Sequence, residues 1–232
     1  LADAFHQTQI ILGEFMNSFR HAAAALVLLA GVVGAQNPAD PDVAARQGAA
    51  ASPAGWNVRL DRANANRAQI AFTNMGPGMH VTSGPAAIFW NPSNTKRGAY
   101  SAEVTFTQMK APTHAEAYGM IWGANDLEAE GQNYMYFVIR GDGKYLVRHR
   151  AGTATHDVQA WTEHPAITKQ GADGKQTNTL RVEVTSTASK LYANGQLIKE
   201  VPRTGMTSVT DGVVGLRVNH NLDVHIAGFT LR

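Results

Sequence analysis

Acidic residues recur at alternate positions in Asp126-Leu127-Glu128-Ala129-Glu130. On an extended strand alternate side chains share a face, so these three carboxylates would project together. Two carboxylates about 5 Å apart can cleave a glycosidic bond with retention, one as nucleophile and the other as acid and base. Glu128 and Glu130 are therefore the acidic candidates for catalysis, and His149 or His114 could serve as a base. The flanking Gly123-Ala124-Asn125 and Gly131-Gln132-Asn133 have loop compositions, however. Leu127 and Ala129 would also make a poor core face. The segment therefore reads better as a solvated loop than as a catalytic strand.

A second cluster of chemistry-bearing residues lies in Tyr136 to Gly152, YFVIRGDGKYLVRHRAG. Arg140-Gly141-Asp142 matches an adhesion tripeptide, but a turn needs Gly and Asp here in any case. Asp142 could offer a carboxylate to calcium, which takes six to eight oxygens; Asp142 is the only obvious one nearby. Beyond residue 55 the histidines are His80, His114, His149, His156, His164, His220 and His225. None pairs at a zinc-like spacing with a further ligand, so no metal site is expected and calcium is the sole cofactor considered.

The formal net charge of +2, with no run of five like charges, argues against a nucleic-acid partner. The chain has no cysteine, which removes disulfides, thiolate metal sites and cysteine nucleophiles. Residues 16–35 carry Arg20, then the uncharged apolar run Ala22 to Val33, then the small residues Gly34 and Ala35. This is the layout of a secretory signal peptide cleaved near Ala35. The apolar run is short of the ~20 residues a membrane span needs. Residues 1–15 form an extension upstream of Met16, and residues 36–55 read as a flexible linker rich in Ala, Pro, Gly and Asp. The expected location is periplasmic or extracellular, with no stable membrane span after cleavage.

From Trp56 to Arg232 nearly every segment reads as strand, giving about a dozen short strands separated by turn signals. Tyr100, Ala102, Val104 and Phe106 alternate with Ser101, Glu103, Thr105 and Thr107. Residues 156–175, with Trp161, Pro165 and Gly171, look like a long connection. The fold class is all-β: an antiparallel sandwich or barrel. Asn194-Gly195 between apolar runs predicts a two-residue hairpin, because both turn residues must accept positive φ. For Tyr136 to Gly152 the hydrophobic pattern selects a three-residue loop, Gly141-Asp142-Gly143. That register aligns Met135, Phe137 and Ile139 with Tyr145, Val147 and His149. Tyr134, Tyr136, Arg140, Arg148 and Arg150 then share the opposite face.

The succession NYMYFVIRGDGKYLVRHRAG, NTLRVEV, LYANGQLIKEV, GVVGLRV and DVHIAGFTLR resembles the concanavalin A-like lectin/glucanase superfamily. It is similar in particular to laminin-G-like domains and to the bacterial 3-keto-disaccharide hydrolase (DUF1080) domains. The resemblance covers about Trp56 to Arg232, is best from Tyr118 onward, and rests on strand order and turn residues. It implies a two-sheet jelly roll, one sheet concave, with ligands meeting that face or its rim. It also implies calcium at the rim in laminin-G-like members. Laminarinase-like members carry Glu-x-Asp-x-x-Glu or Glu-x-Asp-x-Glu, from which Asp126-x-Glu128-x-Glu130 departs at its first and middle acids.

Sugars stack their CH faces on aromatic rings and accept hydrogen bonds from fixed donors. Tyr134, Tyr136, Arg140, Arg148 and Arg150, joined by Trp122 and Trp90, therefore form the expected ligand face. The alternative is an ordinary solvent-facing sheet shielded by long side chains. The leading expectation is an exported β-sandwich that binds carbohydrate. The alternatives are a hydrolase of 3-keto-glycosides, in which a general base starts an elimination next to the ketone, and a structural cell-surface module without a small ligand.

Overall fold

The computed structural model describes residues 51–73 and 75–232. The extension at 1–15, the signal peptide at 16–35 and the linker as far as residue 50 lie outside the described residues. No helix among those described is long and apolar enough to cross a membrane.

The chain forms two antiparallel seven-stranded sheets packed face to face as a jelly-roll sandwich. Strands are numbered in chain order. The first sheet runs β1 (Asn57–Leu60), β4 (Ala87–Lys96), β13 (Gly212–Val218), β6 (Ala117–Asn125), β7 (Asn133–Arg140), β8 (Lys144–Ala151) and β9 (Ala154–Glu163). The second runs β12 (Gln196–Pro202), β11 (Ala188–Ala193), β10 (Gln176–Val184), β5 (Tyr100–Gln108), β14 (Leu222–Leu231), β3 (Met79–Ser83) and β2 (Ile70–Thr73).

The core between the sheets follows the alternation in the sequence. Tyr100, Ala102, Val104 and Phe106 of β5 and Leu180, Val182 and Val184 of β10 are buried there. They face Tyr118, Met120 and Trp122 of β6 and Met135, Phe137 and Ile139 of β7. The Phe106 and Tyr118 rings meet at 5.2 Å. Each such side chain removed from water contributes about 1.5–3 kcal/mol. The Tyr118 hydroxyl donates to Gln176 Oε1 at 3.0 Å, which satisfies the polar end of a buried ring.

Both anticipated hairpins are present. Ala193 pairs with Gln196 around Asn194 and Gly195, whose φ values of 51° and 80° fit a two-residue turn. Ile139 pairs with Tyr145, Phe137 with Val147 and Met135 with His149, so the loop is Gly141-Asp142-Gly143. Gly143 takes φ 82°, and its N–H closes the turn on Arg140 O at 3.0 Å.

One element departs from the expectation. The segment assigned to a long connection holds β9, which pairs with β8 at the edge of the first sheet. With a neighbour on one side only, and mostly exposed, it sends only Val158 against the core, too little to impose alternation on its sequence. Apolar periodicity therefore could not reveal it.

Candidate functional site

The first sheet is apolar on both faces. Facing away from the sandwich core, Ile88, Trp90, Ile121, Tyr134, Tyr136, Val138 and Leu146 form a second buried cluster. A sheet covered on both sides needs near-continuous apolar strands, which explains the unbroken Tyr134–Ile139 run in β7. Arg217 of β13 emerges on this outer face opposite Gly119 of β6. A Cβ at Gly119 would stand 2.1 Å from the Phe137 carbonyl oxygen, so no side chain competes for that space.

Arg217 is the charged centre of the face. Its guanidinium donates Nη1 to Asp61 Oδ1 at 2.9 Å and Nη2 to Asp61 Oδ2, a bidentate pair in which Arg217 is almost fully buried. It also lies 4.9 Å from the centre of the Tyr136 ring. Burial opposes the charge on each partner. The pairing outweighs it, holding the Asp61 carboxyl below the usual carboxylate range and raising Arg217. The Tyr134 and Tyr136 rings lie 5.9 Å apart, and burial pushes the Tyr134 hydroxyl above its ordinary value. Arg148 extends from β8 to bond Asp157 of β9. Arg150 donates to Gly152 O at 2.8 Å.

At one end of this face lies a cleft of about 440 Å³. Trp90 of β4 forms part of its wall, with Thr95, Ala124 and Val213. Asn125 at the end of β6 and Asp126, Glu128 and Ala129 of the β6–β7 turn also line it. That turn is anchored by Arg59 of β1, whose Nη1 donates to Leu127 O and Ala129 O, both at 2.7 Å. Leu127 packs into the outer cluster beside Trp90. Asp126 starts the turn at φ 53°, a left-handed conformation that Asp tolerates better than most residues. The cleft thus offers an amide, a hydroxyl and two carboxylates beside the edge of an indole that is itself buried.

The structure distributes the anticipated site residues unevenly. Tyr134, Tyr136, Arg148 and Arg150 share the outer face, but the two tyrosines are only 1% and 4% exposed. They are therefore not the open stacking platform expected. Trp122 is corrected outright. It points into the core between the sheets, fully buried, and donates Nε1 to Ser189 Oγ at 3.2 Å. The reason is parity: Tyr118, Met120 and Trp122 share the inner side of β6, whereas Ile121 faces outward. Glu128 lines the cleft and accepts a 3.4 Å bond from Asn57 Nδ2. Glu130 is exposed on the same turn. His149 faces the other side of the sheet with Met135, stacked on His156 at 6.0 Å and 3.2 Å from Asn133 Oδ1. Arg217, Asp61 and Arg59 were missed. The available signal was an arginine inside the apolar run of GVVGLRV.

Arg140 is held within its own loop. Its Nε donates to Asp142 Oδ1 at 2.9 Å and Oδ2 at 3.0 Å, and its guanidinium stacks 4.3 Å from the Trp161 ring centre. Lys144 adds a second cation 3.8 Å from Asp142. Arginine and lysine thus occupy the carboxylate proposed for calcium, and the adhesion-like tripeptide folds onto itself. Desolvation raises the Asp142 pKa, but the Arg140 hydrogen bonds and charge bring it below its ordinary value. This group therefore contributes stability that is present above the unfolded pKa near 3.9 and lost as pH falls through the lower folded value. Because the pair is partly exposed, Asp142→Ala should cost only about 0.5–1 kcal/mol at neutral pH. Thermal melts at pH 7 and pH 3 check this, with the difference shrinking at the lower pH.

The histidines left unpaired by sequence spacing do meet in the fold: His114 and His220 both approach Glu116.

No known family profile matches the chain, and no curated protein matches it. Solved structures do. A carbohydrate-binding module, CBM66 from Bacillus subtilis, superposes with a TM-score of 0.56 at 13% identity, covering 77% of this chain and 95% of that one. A Bacteroides ovatus mixed-linkage glucan GH16, solved with an oligosaccharide product, gives 0.55 at 9% identity over 76% and 94%. A galectin-like Bacillus subtilis protein of unknown function gives 0.51 at 12% identity over 76% and 88%. At these identities the likeness establishes the shared jelly-roll fold.

Proposed function

We propose that this chain is an exported carbohydrate-binding β-sandwich that takes a glycan at the outer face of its first sheet, entering through the cleft beside Trp90. The observation that carries the reading is the composition of that cleft. Asn125, Asp126, Glu128 and Thr95 can bond ring hydroxyls, and Trp90, only 4% exposed, offers no more than a narrow apolar edge at the cleft wall. Carbohydrate-binding and glucan-cleaving proteins with the same fold support a sugar ligand. The two acids in the cleft leave a hydrolytic variant of this reading open to the same experiment. The burial of Tyr134 and Tyr136 favours a second reading, in which the face is filled by protein and the module is structural.

The test is a glycan array on the full chain beside a hydrolysis assay that includes 3-keto-glycosides. Glycan binding that falls about ten-fold in Glu128→Ala or Asp126→Ala, a loss of 1.4 kcal/mol, is the expected result. Glu128→Ala should change the melting temperature little, whereas Asp126→Ala also strains the left-handed backbone at φ 53°, so Asp126→Asn, which tolerates that conformation, is its control. Binding neither glycan nor 3-keto-glycoside would overturn the sugar reading and leave the structural one.

A further inference from the structure

We propose that His114, Glu116 and His220 form a binding site for one first-row divalent metal ion, with Zn²⁺ as the best fit. Glu116 stands just before β6, and His220 lies in the turn between β13 and β14. Antiparallel pairing of β13 with β6, continued by the Asn219 N–H to Ala117 O bond of 2.9 Å, brings these two positions side by side. His114, two residues before Glu116, completes the set from the loop after β5.

Three features make this a ligand set. First, both imidazoles aim Nε2 at the same carboxylate oxygen: His114 stands 2.8 Å and His220 3.1 Å from Glu116 Oε1. One ligand atom from each residue falls within 4.8 Å of the others. Tetrahedral bonds of about 2.0–2.2 Å place ligand atoms roughly 3.3–3.6 Å apart, so a small inward shift of the half-exposed His114 would close the set around zinc. Second, the set is graded in exposure. Glu116 is buried at 7% side-chain exposure, His220 is at 26% and His114 at 50%. The carboxylate is fixed in the protein while the His114 side opens to solvent, so a fourth position could take water or an oxygen ligand. Third, Glu116 is fixed by its place in the sheet, because the neighbouring Ala117 O accepts the Asn219 N–H at 2.9 Å.

Two imidazoles and one carboxylate form a donor set suited to zinc and its neighbours rather than calcium, which prefers oxygen alone. The site also borders the outer face of the first sheet. Ala117, next to Glu116, belongs to the outer cluster of that sheet. A metal ion here would sit at the rim of that face. The proposal nevertheless stands without the sugar reading, since it concerns the ion alone.

Titration calorimetry with Zn²⁺ on the full chain, and with Co²⁺ monitored by visible absorption, tests it. The expected result is saturable binding of one ion per chain, a higher melting temperature with Zn²⁺, and a Co²⁺ spectrum of low coordination number. His114→Ala alters a half-exposed side chain and should leave the apo melting temperature nearly unchanged. It should weaken Zn²⁺ binding by about 100-fold and abolish the thermal shift. His220→Ala and Glu116→Gln should act in the same direction. Wild-type Zn²⁺ affinity retained in His114→Ala and His220→Ala would assign the ion to other histidines and overturn the proposal. So would the absence of saturable Zn²⁺ and Co²⁺ binding in the folded wild-type chain. The three side chains would then be a hydrogen-bonded cluster only.

Discussion

Arg217→Met should lower the stability of the sandwich by about 3–5 kcal/mol, the largest effect expected from any charged residue described. For a chain of this size that corresponds to a fall in melting temperature on the order of 10 °C. The cause is what the substitution leaves behind more than what it removes. Asp61 would keep its largely desolvated carboxylate without the guanidinium that binds both of its oxygens. The Tyr136 ring would also lose the cation 4.9 Å from its centre.

The pH dependence gives the prediction its sign. In the parent chain Asp61 titrates below its unfolded value, so its contribution is present above about pH 4 and is lost as pH falls through the folded pKa. Without Arg217 desolvation, the largest cause, is opposed only by the weaker attraction of Arg150 and His220, so the folded pKa rises. The orphaned carboxylate is then penalised at neutral pH and relieved by protonation. The gap between the two proteins should therefore be widest above about pH 5 and should narrow towards pH 3. Asp61→Leu combined with Arg217→Met should recover much of the loss, because neither charge is left buried alone. A pH-independent gap, or a double variant as unstable as Arg217→Met, would show that packing around the arginine rather than ion pairing holds this face.

How legible the molecule is in its sequence depends on which residues have a face to reveal. Strand β5 alternates because one side meets the core and the other lies beside Thr177, Thr179, Arg181 and Glu183 of β10. Its limits and its buried set are therefore plain. The Gly141-Asp142-Gly143 loop is legible for the same reason: only one register keeps Arg148 and Arg150 out of the core between the sheets. Strand β9 is hidden because an exposed edge has too little apolar constraint. The site is less legible still. Asp61 and Arg217 are 156 positions apart and meet only through the pairing of β1 and β13 with β4. His114, Glu116 and His220 likewise depend on two strands being neighbours, and no local spacing encodes that.

Trp122 shows how a sheet apolar on both faces defeats face assignment from sequence. In AYGMIWGAN every position before the terminal Asn is buried, so composition alone cannot say which aromatic residues face the core. A ligand-stacking Trp and a core Trp make opposite predictions. Here the indole is fully buried among Met135, Phe137 and their neighbours in the inner cluster, with its N–H bonded to Ser189. Trp122→Ala should therefore cost about 3–5 kcal/mol through the cavity it opens, and more if the buried Ser189 hydroxyl loses its partner. Trp122→Phe fills most of that space and should cost clearly less. Its glycan affinity should match that of the parent chain, because the changed side chain lies on the opposite side of β6 from Trp90 and the cleft. Denaturant titrations and the glycan assay on the same two variants separate the roles. A phenylalanine variant that stays stable but loses sugar binding would return Trp122 to the ligand site. One that loses stability and keeps its affinity fixes it in the core and leaves Trp90 as the aromatic residue of the cleft.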